Sequence, residues 1–198
     1  ADGTIKCLDK FKSILQAEYP NTDMRRDRNC ITMQFSEFRL DVVPAFKYDG
    51  GYYKIPDSVK KEWISTDPFT FADKITEVNR AMSHRFVPLI KMVKGWNRDV
   101  GWPIRSFHLE CMLYNHCKNW NQVYSWGDMI QHFFQSLPTY LDGTTYDPVK
   151  WTRVDEYLDN GATPTRRSKA KAKAETAKSK SKEAYEDESR YASTPSIA

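Results

Sequence analysis

The chain has 198 residues, 40% of them apolar and 14% aromatic, enough for one domain with a sizeable core or for two small lobes. No apolar run approaches the length of a membrane span, and the opening Ala1-Asp2-Gly3-Thr4-Ile5-Lys6 lacks the charged and apolar regions of a signal peptide. The net charge of +4 is local, because residues 165–190 hold nine basic and five acidic side chains and leave the rest of the chain neutral. An isoelectric point near 8.8 is therefore no sign of a nucleic-acid-binding body, and RNA or DNA binding is not expected there. Cys7, Cys30, Cys111 and Cys117 are few and widely spread, as reduced thiols are, so the chain reads as a soluble cytoplasmic protein.

The first element is an amphipathic helix. Ile5, Leu8, Phe11 and Leu15 recur at helical spacing with lysines between them, up to Tyr19-Pro20. Period-two alternation follows in Ile31, Met33 and Phe35 and again in Phe38, Leu40 and Val42, which predicts two adjacent strands around Ser36-Glu37. A third strand is expected over 52–55, entered through Asp49-Gly50-Gly51 and closed by Pro56. Asp67-Pro68 then opens a helix carrying Phe71, Ile75, Val78 and Met82. Further helices are predicted over 87–97 and 106–117, and from Ser125, where Asp128 completes a capping-box pattern. A short helix near 154–158 precedes the stop signal Asn160-Gly161. Strands first and helices after make an α+β protein: a sheet-bearing part over 1–66, a helical lobe over 67–160 and an Ala/Lys-rich C-terminal helix and flexible tail over 161–198. The tail can be helical by propensity but has no large apolar side chain before Tyr185, so it is expected to be solvated, with a nucleic-acid or acidic partner as the minor alternative.

Three places carry residues suited to chemistry. Asp41 sits in mid-strand beside Arg39, where aspartate is disfavoured. It is either an edge-strand acid paired to an arginine or a metal ligand held on a rigid sheet, as two-Mg²⁺ phosphoryl transfer requires. Lys91, Lys94 and Arg98 line one side of the helix over 87–97, as a solvated face or as point charges for a polyphosphate. Arg105-Ser106-Phe107-His108-Leu109-Glu110 opens a helix whose first N–H groups and Ser106 hydroxyl suit an anion. There Ser106 is equally a plain cap, and Phe107 either core or a stacking platform for a base. His108, Cys111, His116 and Cys117 lie close together, but 116 and 117 diverge by about 100° on a helix. No paired CxxC accompanies them, so they are read as structural rather than as a zinc set.

Taken in order, these segments resemble the bacterial CD-NTase family, relatives of cyclic GMP-AMP synthase and oligoadenylate synthase. Phe38-Arg39-Leu40-Asp41-Val42-Val43-Pro44-Ala45 resembles the strand bearing the family's third metal-binding aspartate and its D-V-V-P-A turn. Tyr53-Lys54-Ile55-Pro56-Asp57 and Trp63-Ile64-Ser65-Thr66-Asp67-Pro68 resemble the following stretch. Lys94-Gly95-Trp96-Asn97 and Ser106-Phe107-His108-Leu109-Glu110 resemble two helix motifs. The resemblance covers about 5–158 and implies a DNA polymerase β-like nucleotidyltransferase core joined to a helical lobe. Such enzymes build cyclic di- or oligonucleotide second messengers from nucleoside triphosphates in anti-phage defence.

On that resemblance Asp41 binds Mg²⁺ (two ions in a complete enzyme, Mn²⁺ being possible) and helps deprotonate the attacking ribose hydroxyl. Lys94 and Ser106, with Lys91 as a weaker candidate, hold the triphosphate, and Phe107 stacks on a base. The family's Gly-Ser loop and its D-x-D or E-x-D pair are absent, and the chain opens without methionine, so an N-terminal segment is expected to precede it and the chain alone to be inactive. A catalytically dead nucleotide-binding or scaffold protein and an RNA-tailing nucleotidyltransferase are the alternatives. A ubiquitin-activating-like partner at the C-terminus, where Ser196 and Ala198 are small, is the one macromolecular partner the resemblance suggests.

Overall fold

The computed structural model describes residues 3–120, 124–159 and 165–192. It divides into two compact units, Ala1–Pro68 and Phe69–Ala198.

The first unit opens with helix α1 (Gly3–Glu18) and continues through strands β1 (Asp23–Asp27), β2 (Cys30–Gln34) and β3 (Arg39–Val42). The three strands form one antiparallel sheet in that order, with Ile31 opposite Val42 and Thr32 opposite Asp41. Alternation divides its faces. Met24, Ile31 and Met33 are buried with Leu8, and Phe11, Leu15 and Val42 pack around them, while Asp23, Arg25, Thr32, Gln34, Arg39 and Asp41 lie on the other face. β1 has the sequence Asp-Met-Arg-Arg-Asp with Met24 as its single buried residue, so its sequence gave no apolar signal for a strand.

Strands β4 (Phe46–Lys47), β5 (Tyr53–Asp57) and β6 (Glu62–Thr66) make a second antiparallel sheet. The strand expected to close at Pro56 instead runs through it to Asp57, with Pro56 opposite Trp63. A staple joins the two sheets. Asp57 is fully buried and accepts from Arg28 Nε at 2.8 Å and Nη2 at 2.7 Å and from the backbone N–H groups of Val59 and Lys60. Asn29 donates to the Pro56 carbonyl at 2.7 Å, so the tip of the β1–β2 hairpin is fixed to the β5–β6 turn. Burial raises the Asp57 carboxyl pKa, but the donors around it win and hold the group below its usual range.

The second unit is helical: α2 (Pro68–Ala81), α3 (Phe86–Asp99), α4 (Ser106–Cys117), α5 (Trp126–Asp142) and α6 (Arg166–Ala192), with a 3-10 turn at Glu156–Leu158. α2 starts at Pro68, where fixed φ and a missing N–H cost a helix nothing. The capping box at α5 is formed, the Asp128 N–H donating to Ser125 Oγ while Asp128 accepts from the Ser125 N–H. The core runs from Val78 and Met82 through Phe86, Leu89, Val93, Leu109, Leu113, Phe133, Leu137 and Leu141 to Leu158. The stop signal expected at Asn160-Gly161 lies outside the described residues.

α6 departs from the solvated tail expected of it. Ala170, Ala174 and Ala177 are buried against α5, so methyl groups supply a seam that large side chains do not. At its first turn Arg167 donates to Asp155 and Asp159, at 2.6 Å each, and to the Leu141 carbonyl at 2.6 Å. Asp155 is fully buried and also accepts from Arg153 and from the Thr145 N–H. Burial alone would raise its pKa, yet the two guanidinium groups and the amide overcome that and drive it far below the usual carboxylate range.

Candidate functional site

Asp41 belongs to the first unit, and Lys91, Lys94, Ser106 and Phe107 to the second. On the open face of the first sheet Thr32 Oγ1 donates to Asp41 Oδ1 at 2.8 Å, directly across the β2–β3 ladder, and Arg39 Nη2 lies 3.5 Å from Oδ2. The Asp41 side chain is 45% exposed. Of the two sequence readings, the pairing to Arg39 is formed, and the carboxylate is at the same time half exposed on its strand. Cys30 shares this face, and burial of its thiol, with Asp41 and Asp27 nearby, raises its pKa.

A divalent cation needs several oxygen ligands. Among the described residues no group of three or more Asp, Glu, His or Cys side chains is placed to hold one. Asp41 fits a single ligand position, and the described residues by themselves do not make up a two-ion site.

In the second unit the chain reverses between α3 and α4 through Gly101 (φ 92°) and Trp102 (φ 58°), and Asn97 fixes that reversal. The Asn97 side chain is fully buried; it donates to the Ile104 carbonyl at 2.7 Å and accepts from the Ile104 N–H at 3.1 Å. One residue on, the Arg105 N–H donates to the Tyr157 hydroxyl at 2.7 Å. These bonds set the start of α4, where Arg105 is the N-cap and Ser106 the first helical residue, so Ser106 is not the cap itself. The first turn of a helix directs backbone N–H groups without intrahelical partners outward, which suits an anion.

Lys94 does not stand in an open basic face. Its ammonium donates to the Glu110 carboxylate, with side chains 33% and 22% exposed. Glu110 lies one helical turn beyond Ser106, on the same face of α4, so Lys94 reaches across from α3 to the Ser106 side of that helix. Lys91 is exposed, and Arg98 is paired to its neighbour Asp99. Phe107 is 42% exposed and its ring meets Phe71 at 5.1 Å, which leaves the rest of the ring accessible.

The two histidines of the rejected zinc set are otherwise engaged. His108 is hydrogen-bonded between the Tyr157 and Thr145 hydroxyls at 3.1 and 2.9 Å, and burial pushes its pKa down to about 4. His116 sits between the Tyr140 hydroxyl at 2.6 Å and His132 at 3.0 Å, and burial, helped by His132, lowers it likewise to about 4. Burial raises the thiols of Cys111 and Cys117, the latter to about 12, so both are inert. Sequence reasoning gave no role to Asn97, Glu110 or Tyr157. The first two lie inside motifs already singled out, and a polar side chain at an apolar register of α3 was the available signal for Asn97.

Residues 1–79 match the model of the Second Messenger Oligonucleotide or Dinucleotide Synthetase domain. A probable cyclic nucleotide synthase of Bacillus cereus is 30% identical over 162 residues, 74% of this chain and 48% of that protein. The chain belongs to the CD-NTase family. A cyclic AMP-AMP-AMP synthase of Acinetobacter is 33% identical over 107 residues, 52% of this chain and 31% of that protein. Among solved structures, the CD-NTase CdnG of Bradyrhizobium diazoefficiens in complex with GTP superposes with a TM-score of 0.69 at 11% identity, over 90% of this chain and 67% of that one. That likeness is one of fold, and the fold is the DNA polymerase β-like nucleotidyltransferase fold of the CD-NTases. The chain spans about half the length of the first of these curated relatives and about a third of the second.

Proposed function

We propose that this chain is part of a nucleotidyltransferase that builds a cyclic di- or oligonucleotide second messenger from nucleoside triphosphates, acting in the cytoplasm in anti-phage defence. The observation that carries the reading is the 30% identity to a cyclic nucleotide synthase across three quarters of the chain. Supporting it is the placement of Asp41 on a rigid strand with its carboxylate half exposed. In this reading Asp41 supplies one ligand to Mg²⁺, or to Mn²⁺, and the remaining carboxylates come from outside the described residues. Divalent cations in such a site neutralise charge on the phosphates and on the attacking oxygen. Thr32 fixes the Asp41 rotamer through its hydrogen bond, and Asp41 accepts the hydrogen bond of the attacking ribose hydroxyl.

Ser106 and the first turn of α4 hold a triphosphate, with Lys94 and Lys91 adding positive charge, and the exposed part of Phe107 meets a base. Glu110 keeps the Lys94 ammonium at the Ser106 side of α4. At the C-terminus, Ser196–Ala198 would be the segment conjugated by a ubiquitin-activating-like partner; these residues lie outside those described.

The test is synthesis by the complete gene product supplied with all four nucleoside triphosphates and Mg²⁺, read as a phosphatase-resistant cyclic product. Product is expected from the complete protein and not from residues 1–198 alone, and Asp41→Asn should remove it. A complete protein that binds nucleotide but makes no product would favour the scaffold reading, and full synthesis by Asp41→Asn would end the role given to Asp41.

A further inference from the structure

At the start of α4 a polyanion would find one cation already balanced, because the Lys94 ammonium is bound to the Glu110 carboxylate. A second cation stands next to Ser106 in the chain. Arg105 is the N-cap of α4, a position that favours Ser, Thr, Asp or Asn, and its side chain gives the helix no capping hydrogen bond. A cation there also faces the positive end of the helix dipole, which costs the helix stability that an anion would restore. The Arg105 side chain is exposed, but it is not left to swing. Its guanidinium lies 4.3 Å from the centroid of the Tyr157 ring, while the Tyr157 hydroxyl accepts from the Arg105 N–H at 2.7 Å. Tyr157 thus holds one residue twice, by backbone and by side chain. The ring is fixed in turn, being only 8% exposed, with its hydroxyl 3.1 Å from His108 Nδ1.

We propose that Arg105 is a further triphosphate-binding residue and that Tyr157 is the positioning residue that aims it. The inference rests on the reading of Ser106 and the first turn of α4 as a triphosphate site. A long side chain that is free in solution loses rotamer freedom when it grips a ligand. A guanidinium held over an aromatic ring has given up part of that freedom in the fold already. Its planar fork of donors can then meet two phosphate oxygens at once, while the Ser106 hydroxyl and the first N–H groups of α4 meet others. Tyr157 lies 52 residues beyond Arg105 and outside the motifs that carry Ser106 and Phe107, so spacing in the sequence does not reveal it.

Calorimetric titration of the 198-residue chain with inorganic tripolyphosphate, and separately with ATP, tests it at low salt. Arg105→Ala should weaken tripolyphosphate binding about tenfold, as loss of a charged hydrogen-bond donor does. Its thermal midpoint should hold or rise, since a cation leaves the positive end of α4. Arg105→Lys should fall between the two, because a point charge replaces the planar fork. Tyr157→Leu should weaken binding in the unaltered background and add nothing once Arg105 is alanine. Tyr157→Phe, which keeps the ring, should bind more tightly than Tyr157→Leu. A merely structural Tyr157 would lower the midpoint and weaken binding equally in both backgrounds, and that result would overturn its positioning role. Lys173→Gln removes an exposed charge of α6 and should bind as the unaltered chain does. Equal loss in Lys173→Gln, or unchanged affinity in Arg105→Ala, would overturn the inference. Ser106→Ala separates that failure from failure of the site: weaker binding there, with no change in Arg105→Ala, leaves the triphosphate site standing without Arg105. No binding of either probe by the unaltered chain would remove the site and the inference together.

Discussion

In the first unit, Leu8, Met24, Ile31 and Met33 form a thin core on one side of a three-stranded sheet, and the opposite side is polar and open. In the second, the core continues without interruption from α2 to α6, and its polar groups are consumed internally, as in the Asp155 network and the two buried histidines. Asp41 takes no part in that core and keeps half of its side chain exposed beside its contacts with Thr32 and Arg39. Side chains such as Asp155 and His108 have partners on every side and act on the fold alone. Exposure and partnership, more than residue type, separate the two roles.

The largest effect that would sharpen this contrast is expected from Asp155→Ala. It removes the buried carboxylate that Arg153 and Arg167 share and leaves them only the half-exposed Asp159 as an anion, so it should cost the second unit about 3 kcal/mol, as loss of one partner from a buried ionic network does. Denaturant titration followed by tryptophan fluorescence measures it, and a loss below about 1 kcal/mol would show that the network is ornamental.

Acid should act on the same unit. Burial holds His108 and His116 near 4 in the folded chain, below the ordinary histidine value of about 6.5, so the unfolded chain binds more protons between those limits. Stability present above pH 6.5 should therefore fall as the pH drops towards 4, by up to about 1.4 kcal/mol per pH unit for each histidine. Thermal midpoints across that range, compared with those of His108→Gln, test the sign; a midpoint that rises on acidification would refute it.

Lys94→Ala should cost about 1–3 kcal/mol because it strands the Glu110 carboxylate, which is largely buried. Lys94→Met combined with Glu110→Gln should recover part of that loss. If Lys94→Ala leaves the melting temperature untouched, the α3–α4 tie has no structural weight.

The smallest effect should come from Asp41→Asn. The amide oxygen can still accept from Thr32, and the side chain is half exposed, so stability should change by less than about 0.5 kcal/mol. A large loss would make Asp41 a member of the fold rather than a group presented to a ligand.

How much of this was legible in the sequence depended on whether burial followed apolar side chains. β2, β3 and the helices α2 to α5 carry clear periodicity, and the capping box at Ser125 and the proline at Pro68 marked two helix starts. β1 is charged throughout except for Met24, so only its partner β2 makes it a strand. α6 buries methyl groups, which a search for large apolar residues passes over, and Arg167 was read with the lysines around it although its partners, Asp155 and Asp159, lie eight to twelve residues upstream. At the candidate site the residues at issue were found by motif resemblance. Their partners, Thr32 for Asp41 and Glu110 for Lys94, depend on strand register and on helix packing, which spacing in one sequence does not fix.

The contacts along α5 and α6 have a spacing of their own. Lys171 meets Asp142, the Lys178 carbonyl meets Gln135, and the Tyr185 hydroxyl meets Asp128, so each step is seven residues on both helices, in opposite directions. A seam of alanines repeating in this way does not distinguish one alignment from another displaced by a heptad, since Ala177, Ser181 and Ala184 are nearly as small as the residues they would replace. Arg167 breaks the degeneracy. In the displaced alignment Ala174 would occupy its place, and the buried Asp155 would keep Arg153 but lose the second of its two guanidinium partners. One arginine thus acts as the index mark on an otherwise unmarked ruler, and what it specifies is where along α5 the last helix stops sliding.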